Sequence, residues 1–163
     1  MPHTPANAEQ RTELIARGLA VYQGRALICF ARDAGFGYLP GGRIEHGEPA
    51  ESALIREFAE ETGLTVRVGP LLLVGENSFL NGNRSIHEVS LVFHVEPESG
   101  DWPDSPPTIE DHIEFRWIDL AAVVDLDIRP PTAKAWLASG APGPSGGQSG
   151  PLWVSDLADT NRI

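Results

Sequence analysis

The sequence predicts one α/β domain, and three observations carry that. Polar and apolar residues alternate with period 2 from Ser85 to Glu96, a helical period runs from Glu48-Pro49 to Gly63, and a second helix is expected at about Pro131 to Ala138. With 163 residues the chain is the size of one ordinary domain and can bury a core without disulfides or a structural metal.

Taken in order, Leu14 to Tyr22 and Ala26 to Ala31 are apolar segments separated by Q-G-R, which reads as a hairpin of two largely buried strands. The passage D-A-G-F-G-Y-L-P-G-G-R-I-E-H-G-E is a shaped, glycine-rich loop. Proline at a first-turn position then opens a helix, Leu54, Ile55 and Phe58 supply its apolar period, and Gly63 ends it. Leu64 to Val74 is a Leu- and Val-rich strand leading to Asn81-Gly82, a strong hairpin-turn signal. On the returning strand, Val89, Leu91, Phe93 and Val95 are expected to face the core, with Glu88, Ser90 and His94 on the other side. His87 falls on the apolar-leaning face and reads as a satisfied core histidine. E-F-R-W-I-D-L is a short strand running into a turn. Residues 1–11 are expected to be a flexible N-terminus, 12–139 the domain, and 140–163 a Gly/Pro/Ser-rich linker and short semi-apolar tail. For that tail the expectations are terminal disorder, or cover for a sheet edge or a neighbouring subunit's site.

Charge narrows the function classes. Against 23 Asp and Glu stand 12 Lys and Arg, a net charge of −11 that repels a nucleic-acid backbone or an anionic membrane. Duplex binding is therefore not expected, whereas a phosphorylated small molecule remains open if divalent cations stand between carboxylates and phosphates. The N-terminus lacks the basic start and apolar run of a signal peptide, and no apolar run approaches a membrane span. A lone Cys29 within A-L-I-C-F-A reads as a small buried hydrophobe. The combined expectation is a soluble, cytoplasmic protein.

The chemistry concentrates in R-E-F-A-E-E-T-G, Arg56 to Gly63. Glu57, Glu60 and Glu61 fall within an arc of roughly 100° on the helix, with Ile55, Phe58 and Thr62 beside them facing the core. Like charges at i,i+4 destabilise a helix. A bare E-x-x-E-E is most simply a solvated acidic face, with Arg56 pairing to Glu60. Oxygen ligands clustered on a rigid helix beside a glycine-rich loop are also what Mg²⁺ or Mn²⁺ requires.

Gly42, Glu48 and R-E-F-A-E-E-T-G-L, at this spacing, fill every position of the Nudix box, so the chain resembles the Nudix hydrolases. The resemblance extends over roughly residues 12 to 139 and implies an αβα sandwich around a mixed β-sheet. It implies an Mg²⁺- or Mn²⁺-dependent pyrophosphohydrolase that cleaves a nucleoside diphosphate linked to another moiety, by water attack at phosphorus. The alternative is a Nudix-like nucleotide-binding sensor that does not hydrolyse. By position, Glu57, Glu60 and Glu61 would bind metal and orient water, and the Gly41 carbonyl would add a ligand. Arg56 would orient the glutamates, and Glu48 would act indirectly or cap the helix N-terminus.

A further acid is expected ahead of the E-F-R-W strand. Glu110 is the first choice, with Asp111 and Glu114 behind it and Glu88 as the rival. Asn77 and Phe79 could meet a base or ribose, although core packing is the stronger expectation for Phe79. Trp102 is expected in a loop, either stacking on a base or lying on the surface. The proline of many ADP-ribose pyrophosphatases and the tyrosine of diadenosine polyphosphate hydrolases are missing near Phe79 to Gly82. A small nucleotide is the implied substrate, and the family's frequent dimerisation makes a homodimer an option.

Overall fold

The computed structural model describes residues 9–141 and 150–157. Its elements are β1 (Glu9–Tyr22), β2 (Arg25–Ala31), β3 (Gly37–Tyr38), β4 (Gly41–Arg43), α1 (Ala50–Thr62), β5 (Val66–Asn81), β6 (Arg84–Pro97), β7 (Ile113–Asp119), a 3₁₀ turn (Leu120–Asp125), α2 (Pro131–Ala138) and β8 (Leu152–Ser155).

The expected first hairpin is real but short. Gln23 and Gly24 both have positive φ, which suits a tight hairpin turn, yet only Val21↔Ala26 and Tyr22↔Arg25 pair before the strands part. Upstream, β1 pairs in parallel with β6 from Glu9↔Arg84 to Ala20↔Val95 and antiparallel with β4. β2 pairs instead with β3 and β7. A mixed sheet in the order β4-β1-β6-β5-β8 and a small antiparallel sheet β3-β2-β7 thus splay from one corner.

Each helix covers one side. Phe58, Leu54 and Ala53 of α1 pack with Ala16, Ala20, Leu27, Cys29, Phe93 and Val95. Trp136 and Leu137 of α2 pack with Leu19, Ala26, Ile28, Leu73 and Val92. Period-2 alternation along β1 and β2 sends neighbouring residues into opposite cores. This is an αβα sandwich around a mixed sheet, and Cys29 is wholly buried in it as expected.

Several expectations are corrected. Ile55 is 38% exposed, because Leu54 and Phe58 already fill the contact with β1. On β6 Phe93 and Val95 are buried as expected and Leu91 packs against the same core, but Val89 is only half-buried and Ile86, Glu88, Ser90 and Val92 of the other face are buried as well. Both faces are partly covered, so polarity alone does not mark the deeper one. The hairpin loop is Gly82-Asn83, closed by Asn81↔Arg84 and turned by positive φ at Gly82. Trp102 is buried against Phe58 and Trp117 rather than lying on the surface, whereas Phe79 is 39% exposed. His87 is half-exposed and bonds to Glu76 Oε1 at 2.9 Å across the sheet.

At the ends, β1 starts at Glu9, inside the stretch expected to be flexible. Leu152–Ser155 forms an edge strand parallel to β5. Asp156 tightens that edge: its N–H donates to the Glu76 carbonyl and its Oδ1 accepts from Ser78 N–H. Residues 1–8, 158–163 and the linker stretch 142–149 lie outside the described residues. No helix among those described is long and apolar enough to cross a membrane.

Candidate active site

Two glycines let α1 approach the sheet. A Cβ on Gly41, whose φ is +125°, would lie 2.2 Å from the Ala16 carbonyl oxygen. A Cβ on Gly42 would lie 2.3 Å from Glu57 Cδ, so the Glu57 carboxylate rests directly on the β4 backbone. Extended Pro49 starts the helix and left-handed Gly63 ends it, and no side chain caps the N-terminus. That removes the capping role considered for Glu48.

Glu48 instead anchors Arg56. The Arg56 guanidinium donates from Nε and Nη2 to the two Glu48 oxygens at 2.9 and 3.0 Å, from Nη1 to Glu57 at 2.8 Å and Glu60 at 3.2 Å, and from Nη2 to the Arg43 carbonyl. These charge-assisted bonds, with a further one from Glu45 N–H, hold the Glu48 carboxyl down at about 2. One cation therefore offsets the repulsion between Glu57 and Glu60 and fixes where both point.

Glu61 has less relief, because burial outweighs the help it gets from the Gly41 backbone and the Arg17 charge. It is 8% exposed, and its Oε2 is buried without a hydrogen-bond partner. Burial, and then the charge of Glu57, push its carboxyl up to about 7, with Arg17 pulling the other way and Glu110 adding to the rise. An ionised carboxylate in such a place is costly unless a proton or a cation meets it. Among the described residues no three His, Cys, Asp or Glu side chains already converge as a cage. Arg56 holds two of the acids, and one oxygen of the third, Glu61 Oε2, is left without a partner. The donors, three carboxylates and the Gly41 carbonyl, are all hard oxygens of the kind that suits Mg²⁺ or Mn²⁺.

The loop before β7 comes to this helix end because Ile109 N–H donates to the Glu61 carbonyl at 2.8 Å. Glu110 is thereby brought near Glu61, half-exposed and 3.3 Å from His112 Nε2. Asp111 is exposed. Glu114 is engaged elsewhere, in a fork with Arg116 at 2.8 and 2.9 Å that keeps its carboxyl below the usual range.

Glu88 does not join the helix acids. It is buried on the α2 side of the sheet and accepts a 2.6 Å hydrogen bond from Ser90, so its partner is a hydroxyl. Asn77 lies beside it in the β5–β6 register, 1% exposed. Its Oδ1 accepts from Thr132 Oγ1 at 2.8 Å and its Nδ2 has no partner. Phe79 sits two residues further out and does not line the cavity on that side.

That cavity was missed in the sequence. Its walls include Arg17, Leu73, Gly75, Ser90, Arg129 and Thr132, from β1, β5, β6 and the start of α2. A lone arginine inside the apolar run L-I-A-R-G-L-A-V was the one available signal.

Comparison with known proteins agrees with this geometry. The NUDIX domain model matches residues 13–138. A Mycobacterium tuberculosis protein named "Putative 8-oxo-dGTP diphosphatase 2" is 34% identical over 108 residues, covering 64% of this chain and 68% of its own. An ADP-ribose pyrophosphatase of Methanocaldococcus jannaschii is 40% identical over 73 residues, 45% of this chain and 38% of the relative. The crystal structure of a MutT NUDIX hydrolase from Burkholderia pseudomallei superposes with a TM-score of 0.59 at 26% identity, covering 79% of this chain and 97% of that one. A family match across most of the chain, together with an intact box on a helix whose innermost carboxylate is unpaired, means that the chain belongs to the Nudix family.

Proposed function

We propose that the protein is a divalent-cation-dependent pyrophosphohydrolase acting on a small nucleotide, a nucleoside diphosphate linked to another moiety. The observation that carries this is the buried, unpartnered Oε2 of Glu61 beside Glu57 on a glycine-cleared backbone. A solvated acidic helix face would leave no carboxylate in that state.

Glu57, Glu60, Glu61 and the Gly41 carbonyl would hold the ion. When bound, Mg²⁺ or Mn²⁺ supplies charge neutralisation at the pyrophosphate and acidifies the attacking water. Arg56, clamped by Glu48, aims Glu57 and Glu60 and keeps them from swinging into solvent. Glu110, tethered through Ile109, accepts the proton of the attacking water. The water oxygen bonds to phosphorus, the bridging P–O bond breaks, and its electron pair leaves with the departing phosphate. The α2-side cavity is small, about 10 Å³, and places the Thr132 hydroxyl, which donates to Asn77, beside the route by which a nucleoside would extend from the carboxylate site. The relatives' names put oxidised deoxynucleoside triphosphates and ADP-ribose first among substrates to try.

The test is phosphatase-coupled phosphate release from (d)NTPs including 8-oxo-dGTP, ADP-ribose, nucleotide sugars and dinucleoside polyphosphates, with Mg²⁺ or Mn²⁺. Turnover is expected to require the ion and to fall by at least about 100-fold in Glu61→Gln. Metal-independent turnover, or a fully active variant, would contradict the proposal.

A further inference from the structure

Arg17 is a half-buried cation with no carboxylate within ion-pair distance among the described residues. Among the described arginines only Arg17 and Arg25 make no ion pair, and Arg25 lies at a hairpin end where it donates to Gln23. The contrast matters in a chain with 23 acidic residues to choose from. A guanidinium cannot discharge itself by losing a proton, so leaving it partly buried without a directly paired acid is costly, and an anion at its free donors would relieve that cost.

The side chain is nonetheless held in place. Its Nη1 donates to the carbonyls of Leu39 at 3.1 Å and Gly41 at 2.8 Å, and its guanidinium carbon lies 5.0 Å from the centre of the Tyr38 ring. Nε is buried without a partner, and no hydrogen bond from Nη2 is made within the described residues. Two donors of a rigid fork are therefore unused, which is the arrangement that grips a phosphate.

Position gives those donors a direction. Arg17 lines the α2-side cavity together with Gly75, Ser90 and Thr132. Through the Gly41 carbonyl it also touches the rim of the carboxylate site, and its charge is felt at Glu61. A nucleotide whose anhydride sits at the carboxylates and whose nucleoside extends over the α2 side would carry a phosphate past this point.

Resting on the hydrolase reading for the identity of the ligand, we propose that Arg17 binds the nucleoside-side phosphate of the substrate, on the α2 side of the carboxylate site. Its grip persists in the product, a nucleoside monophosphate.

The experiment is isothermal titration of the full chain in EDTA at low salt with AMP and dGMP, and with adenosine and deoxyguanosine as uncharged controls. Wild type should bind at least one monophosphate more tightly than its nucleoside by roughly 10- to 100-fold. Arg17→Gln should lose that preference while keeping nucleoside affinity, and Arg17→Lys, which retains charge without the fork, should keep part of it. Both variants should still be stabilised by Mg²⁺, which tests the carboxylate site separately from the phosphate site. A wild type without a monophosphate preference, or a folded Arg17→Gln that retains it, would overturn the proposal. Should Arg17→Gln not fold, an Arg17→Lys titration indistinguishable from wild type would overturn it equally.

Discussion

The two sides of the mixed sheet bury polar groups in different ways. On the α1 side the acids come from one continuous stretch, Glu57 to Glu61, and their geometry follows from a single helix and two glycines. On the α2 side Arg17, Asn77, Ser90 and Thr132 come from four separate segments, each of which looks locally like ordinary strand or helix. The first side gathers three acids on one helix, and the second has a cation without an ion pair, the Glu88 carboxyl bonded to the Ser90 hydroxyl, and neutral hydrogen-bonding groups. Under the proposed function, reaction chemistry would sit in a contiguous motif and recognition would be dispersed over the fold, as is general for sites grafted onto a common scaffold.

The largest effect that sharpens this contrast is in pH dependence. The carboxyl of Glu61 is raised from 4.5 to about 7 in the folded state, so the native protein holds the proton more tightly than the unfolded chain. Its stabilising share is fully present below pH 4.5 and is lost as pH rises through about 7, a swing of about 3 kcal/mol. Glu61→Gln does not titrate. In metal-free buffer its stability relative to wild type should therefore increase from pH 5 to pH 8 by a few kcal/mol, measured by urea unfolding. A constant gap would show that Glu61 is not a buried, unpaired acid. Glu48, held down at about 2, titrates with the opposite sign and below this window, so it does not mask the effect.

Next in size is Arg56→Lys. A point charge cannot serve Glu48, Glu57, Glu60 and the Arg43 carbonyl together, so turnover should fall roughly 10- to 100-fold. Steady-state kinetics at saturating Mg²⁺ would check this, and an unchanged kcat would mean that the clamp is only structural.

Smallest is Thr132→Val on the other side. Losing the hydroxyl that donates to Asn77 leaves that amide without its one partner, at a cost of about 1 to 3 kcal/mol in stability. KM ratios between purine nucleotides should shift more than kcat does. A uniform loss of kcat with no change in those ratios would place Thr132 with the reaction chemistry and break the division between the two sides.

How far the sequence could be read follows the same division. The bounds of α1 were legible because Pro49 and Gly63 are local signals for a helix start and stop, and α2 and the β5–β6 hairpin carried comparable ones. The parallel pairing of β1 with β6 was not, since its partners are 75 residues apart, from Glu9↔Arg84 to Ala20↔Val95, and parallel pairing leaves no local trace. Burial failed where both sides of a strand are covered: Glu88 and Ser90 lie deeper than Val89 and Leu91 because the α2 side closes over them. Trp102 does lie in a loop, yet Phe58 and Trp117 draw it into the core, a long-range contact with no local signal. Arg17 stood in plain view as a charge in an apolar run, but its lack of a partner is a property of the fold.

The most direct measurement is thermal unfolding of wild type and Glu61→Gln at pH 8 as a function of Mg²⁺ concentration. Wild type should gain stability as RT ln(1 + [L]/Kd), and the variant, already relieved of the buried charge, should respond weakly or not at all. A wild type indifferent to Mg²⁺, or a variant that responds equally, would contradict the assignment of Glu61 as the carboxylate that a cation completes.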